Sequence, residues 1–383
     1  MKYSYKKILI NAPFATCQEG HIQQTFLVSK HKDNLYARAY GFIEKDTWFI
    51  NVSCDLIGVP NKTRELIQDE LRKYYNRPDL ILVMGATHTH YSHSIHDPKY
   101  ERFFREVVIE GLKEMEYTEY ENITSSYRRM HTTPVGKSRI TDYETNLEFL
   151  SVISFYSNDY NFLNIIIHNC HPTTLDAYSD FFSSEYPGQL MSKLENDYPS
   201  SNFIFLQGAA GDISSRFVRK GKTYEDMLSL SENIYLETIK LLNKEEKRKP
   251  FKLEYIENKF EVKHNFSQID ISKIRSNLSD REKETIEYGK IIRENMQKNK
   301  TYIKEAIVSR VDFGSVILVY SGNEIFSDFM KNMNLDERML VTYTNDDWPY
   351  VTPVDFKIIT YELFYDTWSI ESKKKLRHLF ETL

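Results

Sequence analysis

One unit near the start of the chain limits the folds open to it. The segment "TWFINVSCDLIGV" (47–59) has the apolar and β-branched make-up of a strand. "NKTRELIQDELRKYY" (61–75) follows, with Leu and Ile at helical spacing and charges elsewhere. "DLILVMGATHTH" (79–90) is then a second buried strand. A strand–helix–strand order predicts a parallel or mixed sheet covered by helices, because parallel neighbours need a crossover long enough to hold a helix. The second strand runs straight into "GATHTHYSHS", which carries His88, His90 and His93, with His96 just beyond, in a chain of 11 histidines.

The rest of the chain repeats the theme of apolar strands with polar endings. "LYARAYGFIE" (35–44) reads as a strand. "FLSVISFY" (149–156) and "FLNIIIHNCHPT" (162–173) flank the turn "SNDYN" and read as a hairpin. "YPGQLMSKLENDY" (186–198) is a short helix opened by Pro-Gly. "NFIFLQGAAGDISS" (202–215) is a strand ending in a small-residue turn, where Gly208 and Gly211 offer conformations that other residues resist. "SVILVYSGNEIF" (315–326) and "MLVTYTNDDWPYVTP" (339–353) are further buried strands. The stretch around 220–301 is the most polar. Its "KEEKRKP" and "SDREKETIEYGKIIRENMQ" read as exposed, solvated helices. With no repeat or linker in the sequence, residues 1–383 are expected to form one α/β domain, a mixed β-sheet core covered by helices, with a polar helical excursion at 220–301.

Composition narrows the function. At 41% hydrophobic and 27% charged the chain is globular. A net charge of −5 gives no basic face for nucleic acid. No apolar run is long enough for a membrane span or a signal peptide. Cys17, Cys54 and Cys170 show no patterned spacing, which predicts free thiols and a cytoplasmic protein.

Chemistry is expected where strands end. His88 and His90, His171, the "GDISS" turn, Glu324 and the "NDDWPY" turn all lie there. Ligands of open α/β sheets collect at the carboxyl ends of strands. On an extended segment His88 and His90 point to one side. They can face one metal together, or one can ligate while the other holds the bound water. His171 precedes Pro172, where the chain turns, and is a ligand candidate; His168 continues its strand and reads as structural. Cys170 reads as a buried small hydrophobe. "GDISS" is not the "G-x-S-x-G" elbow, so Ser214 and Ser215 need a base or metal to act, and helix capping is their other reading.

Together these motifs resemble the neutral/alkaline ceramidase family, in its N-terminal catalytic domain. "GATHTH", "NCHPTT", "QGAAGDISS", "SGNEIF" and "TNDDWPYVT" keep the family's order, and "NLYARAYGF…INVSCDLIGVP" is similar to its opening strands. The resemblance implies a Zn2+ ion held by His88, His171, Glu324 and Tyr350. It places His90 beside the metal-bound water as general base or supporting residue. Ser214 is implied as catalytic, Arg139 as the contact to the reacting amide, and Tyr361 as the group polarising its carbonyl. The pattern departs in three places. Tyr91, Ser92 and His93 come after "HTH" where the family has Ser-Gly-Pro. Gly322 and Asn323 replace Pro-Gly before the glutamate, and Trp348 and Pro349 precede the tyrosine. The sequence is read as the catalytic domain without the signal peptide and C-terminal β-sandwich of secreted members. It has no apolar segment for extracting a lipid. The expected function is therefore a zinc amidohydrolase acting on a soluble small-molecule amide. Ceramide or a fatty-acyl amide, an ester substrate, or a non-catalytic binding role are the alternatives.

Overall fold

The structure, a computed structural model, describes residues 1–21, 26–132, 135–145 and 147–383. Strands β1 (Lys2–Leu9), β2 (Tyr36–Glu44) and β3 (Thr47–Cys54) form an antiparallel meander. Helix α1 (Asn61–Tyr75) then crosses over to β4 (Ile81–Ala86), which pairs parallel to β3. Helix α2 (Pro98–Lys113) packs beside α1. Side chains alternate along these strands. Ile50, Val52, Leu82 and Met84 face α1 and α2, while Tyr40, Phe42, Phe49 and Val83 face the centre of the molecule.

The second sheet repeats the scheme. Strands β5 (Ile123–His131), β6 (Phe149–Ser157) and β7 (Tyr160–His168) are antiparallel neighbours. Helix α3 (Glu185–Asp197) then crosses to β8 (Asn202–Gln207), parallel to β7. Helix α4 (Tyr224–Leu242) covers the same outer face, burying Met227, Ile234 and Leu241 against it. So one part of the polar 220–301 stretch has a buried face. "KEEKRKP" is not helical. Lys249–Pro250 instead pair with the edge of β5.

A third sheet pairs its main strands in the same senses, with its helix placed earlier. Strand β9 (Glu254–Glu261) is followed by helix α5 (Asp280–Asn299), then by β10 (Glu305–Asp312) and β11 (Ile317–Ser321). The short β12 (Asn323–Ile325) leaves this sheet, and β13 (Arg338–Val341) returns parallel to β11. Strand β14 (Trp348–Val351) pairs parallel to β12. Helices α6 (Tyr361–Tyr365) and α7 (Ile370–Thr382) end the described chain; α5 packs on α6, and α7 places Leu376 and Phe380 in the central core. Three sheets thus share two antiparallel pairs and then one parallel pair, and the first two each add a short antiparallel edge strand, Thr118–Glu119 and Lys249–Pro250. Their inner faces enclose a common core rich in Phe, Ile and Val. The expected mixed α/β class holds, built from several sheets around that core.

The parallel pairs matter most. In each, two strands end side by side, so the loops beyond them are neighbours. Hydrogen bonds between sheets lock these ends together: Ala86 N–H to Tyr343 O at 3.0 Å, and Thr342 N–H to Gln207 O at 2.9 Å. Gly208 and Gly211 serve by lacking a side chain, and not through a left-handed backbone as their turn suggested. A Cβ on Gly211 would lie 2.9 Å from the Ile325 backbone, and one on Gly208 2.8 Å from Asn169 Cβ.

Candidate metal centre

His88 comes just after β4 and bends the chain at a φ of +65°, a strained conformation for a residue with a side chain. Its Nδ1–H donates to the carbonyl of Ile57, just beyond the parallel partner β3, at 2.6 Å. His171 comes just after β7, and its Nδ1–H donates to the carbonyl of Ala210, just beyond the parallel partner β8, at 3.1 Å. The same device is used twice. A carbonyl only accepts, so both protons sit on Nδ1 and both Nε2 atoms present lone pairs. Those two Nε2 atoms face each other at 3.1 Å. His90 brings a third Nε2 to 3.0 Å from that of His171.

Glu324, on β12, completes the group. Its Oε2 lies 3.6 Å from His88 Nε2 and 3.8 Å from His171 Nε2. That oxygen is buried with no hydrogen-bond partner among the described residues. All three imidazoles are buried. Burial holds the His171 imidazolium far below its usual range, with Arg139 and His88 adding to the effect; burial does the same for His90, helped by His21 and His171. Three imidazoles whose Nε2 atoms converge beside an unpartnered carboxylate oxygen make a donor set that a shared cation would satisfy. The buried His88, His90 and His171 group has the chemistry to hold a metal ion.

The remaining expected residues surround this group. Tyr350 on β14 is paired in register with Glu324. Its hydroxyl accepts from Arg139 Nη2 at 2.7 Å. Arg139 also donates to Gly211 O at 2.9 Å and pairs with Glu362 at 3.1 Å, and its Nε is buried without a partner among the described residues. Tyr361 opens α6, with its ring 5.8 Å from that of Tyr350. Ser214 Oγ accepts from Arg216 N–H at 3.2 Å, capping a short helical turn, and it also lines the same cleft as His90 and Arg139.

Other histidines lie outside this group. His93 packs between Tyr100 and Phe182, and His96 pairs with Glu19 and Asp347, each at 3.2 Å. His168 is structural, bonded to Tyr186 and Glu148. Burial pushes the Cys170 thiol well up, as fits an inert small hydrophobe. Three neighbours of the site carried no signal in the sequence. Tyr343 stacks on His88 at 3.8 Å, and the His21 ring lies 4.8 Å from that of His90. Gly20, at φ +125°, passes so close that a Cβ there would lie 2.5 Å from His90 Nδ1. Gly20 and His21 sit in no recognisable motif; only their fold position brings them here.

Two clefts open on the group. One, of about 190 Å³, is walled by Ser214, Arg216, Arg219, Arg275 and Arg281. The other, of about 310 Å³, is walled by Tyr288, Glu324, Trp348 and Tyr365. They share Gly20, His21, His90, Tyr350 and Tyr361.

The fold has solved counterparts. The neutral ceramidase of Pseudomonas aeruginosa superposes with a TM-score of 0.74 at 12% identity, over 99% of this chain and 73% of that one. A ceramidase complexed with C2 gives a TM-score of 0.74 at 11% identity, over 99% of this chain and 74% of that one. At these identities the likeness is one of fold. No family model matches the sequence, and no curated protein matches it.

Proposed function

We propose that this fold carries a zinc-dependent amidohydrolase that cleaves a linear amide of a soluble small molecule. The observation that carries the reading is the meeting of His88 Nε2 and His171 Nε2 with the unpartnered Oε2 of Glu324. These three would hold the ion, with Tyr350 as fourth ligand beside Glu324. When bound, zinc supplies a Lewis acid that polarises a carbonyl and brings the pKa of a coordinated water toward neutrality.

The chain's own residues do the rest. His90 starts neutral because it is buried, so it can take the proton as water adds to the amide carbonyl, and deliver it to the departing amine. Arg139 retains an uncommitted Nε–H, and with the Tyr361 hydroxyl it answers the charge that develops on the carbonyl oxygen. The Ser214 hydroxyl lines the same cleft and holds the substrate amide in place. The products are a carboxylic acid and an amine. Ceramide, the substrate implied by the neighbours' names, suits this arrangement less well, because five arginines stand among the apolar Ile140, Leu175, Leu278, Ile286, Ile358 and Ile359 in the wall of the cleft beside Ser214.

Among the described residues no helix is long and apolar enough to cross a membrane. Cys17, Cys54 and Cys170 are free, which supports a reducing, cytoplasmic setting for the proposed reaction.

The test is elemental analysis of the purified protein together with an amide-hydrolysis screen. One zinc per chain is expected, and His88→Ala should lose both zinc and hydrolysis while keeping its far-UV circular dichroism. Hydrolysis that persists after the protein is stripped of metal would overturn the reading.

A further inference from the structure

The cleft beside Ser214 holds more positive charge than the fold uses. Five arginines line it: Arg139, Arg216, Arg219, Arg275 and Arg281. Two acids line it too, and both are taken. Glu362 pairs with Arg139 at 3.1 Å, and Glu282 pairs with Arg275 at 2.7 Å. Arg275 also reaches Asp142 at 3.6 Å.

Arg216, Arg219 and Arg281 form no ion pair among the described residues. Arg219 donates to the carbonyls of Thr173 and Thr174, which accept hydrogen bonds without neutralising its charge. Of the nearby acids, Asp176 pairs with Lys222 at 3.3 Å, and Glu185, which accepts from Thr174 and Leu175, offsets part of the Arg219 charge without forming an ion pair with it. Burial and the neighbouring guanidinium of Arg281 hold Arg216 and Arg219 below the usual arginine range.

These side chains come from separate parts of the fold. Arg216 and Arg219 lie just beyond the "GDISS" turn, while Arg281 lies in the first turn of α5. The polar 220–301 stretch thus supplies one wall of the cleft. Like charges gathered from distant segments repel, and an anion between them removes that cost. The planar guanidinium fork matches a carboxylate or phosphate. The second cleft has no arginine in its lining; its charged side chains are Glu19, Glu324, Asp347 and His96. The arginine cleft also reaches His90, Tyr350 and Tyr361, so a molecule held at the metal centre can extend to the arginines.

We propose that the substrate amide carries an anionic group, a carboxylate or a phosphate, which Arg216, Arg219 and Arg281 bind beside the scissile bond. This rests on the amide-hydrolase reading and names its substrate class.

The experiment compares matched amides with the zinc-loaded protein. N-acetylethanolamine is set against its O-phosphate and N-acetylglycine, and N-ethylbutyramide against N-ethylsuccinamic acid. At least one anionic member should exceed its neutral partner in kcat/KM by about tenfold or more. In Arg216→Gln/Arg281→Gln that ratio should fall toward one, through KM rather than kcat, and Arg216→Lys/Arg281→Lys should restore part of it. The preferred member tells carboxylate from phosphate. Equal rates on neutral and anionic members, or a ratio untouched by the double variant, overturn the proposal. Calorimetry with glutarate and inorganic phosphate reads the anion site without turnover. Binding that the double variant loses, in a protein that cleaves none of the amides, upholds the anion site and sinks the amide-hydrolase reading. Absence of both binding and anionic preference sinks the anion site.

Discussion

Two pairs of histidines bring their Nε2 atoms to the same separation, 3.1 Å, with opposite meaning: His88 with His171, and His31 with His93. In the second pair, His93 Nε2 accepts the backbone N–H of Ala12 at 3.2 Å. Its proton therefore sits on Nδ1, which donates to Thr16 Oγ1 at 2.8 Å. His31 Nε2–H can then donate to His93 Nε2, sharing its lone pair with the Ala12 N–H, so a donor faces an acceptor across this pair. In the first pair both Nδ1 atoms donate to carbonyls, so both Nε2 atoms are acceptors facing each other. The distance between imidazoles says little; the partner on the far side of each ring decides whether the pair is packing or a metal site.

The largest expected effect breaks the first pair. His171→Ala should remove bound zinc and lower amide hydrolysis by more than about 100-fold, since losing an outer partner of a metal ligand already costs about 10–100-fold. Metal analysis and steady-state rates on one preparation check it; retained zinc and near-normal rates would break the contrast.

His93→Ala should do the reverse. It deletes a ring stacked against Tyr100 and Phe182 and leaves the Ala12 N–H unpaired, at a cost of about 2–4 kcal/mol in unfolding free energy with zinc content unchanged. Denaturant titration reads the first quantity and metal analysis the second.

The smallest effect sharpens the comparison at the mouth of the second cleft. The hydrogen bond to Asp347, opposed by partial burial and aided by Glu19, raises the His96 pKa to about 9. The folded value lies above the unfolded one, so the stabilisation is full below about pH 6.5 and is lost as pH rises through about 9. His96 is well exposed, and solvent screening keeps the contribution under about 1 kcal/mol. The stability gap between the native protein and His96→Gln should be present near about pH 6 and absent near about pH 10. A constant gap would assign His96 a packing role.

Local patterns in the sequence located much of the fold. Helix α1 spans the same residues, 61–75, that its Leu and Ile spacing indicates, because an amphipathic period is written within one segment. The β6–β7 hairpin was legible from two continuous apolar runs about a short polar turn. "KEEKRKP" misled: lysine and glutamate favour a helix locally, yet the edge of β5 recruits Lys249–Pro250 into a strand pair. The polar charge of α4 hid a buried face of Met227, Ile234 and Leu241, which only its docking on the second sheet reveals. The shared arrangement of the three sheets left no sequence repeat to find, because topology depends on which strands pair and not on matching residues.

Apolar periodicity fixes where each strand runs and where it stops, and so which residues stand at its end. That much of the site was written in the chain: His88 and His90 after β4, His171 after β7, Glu324 after β11. What those residues can do was set by tertiary contacts. The Ile57 and Ala210 carbonyls set the tautomers of His88 and His171. Gly20, His21 and Tyr343 wall them in, and Arg281 of α5 joins Arg216 and Arg219 across the cleft. Each of these is a contact between distant segments, and no local pattern of residues encodes it.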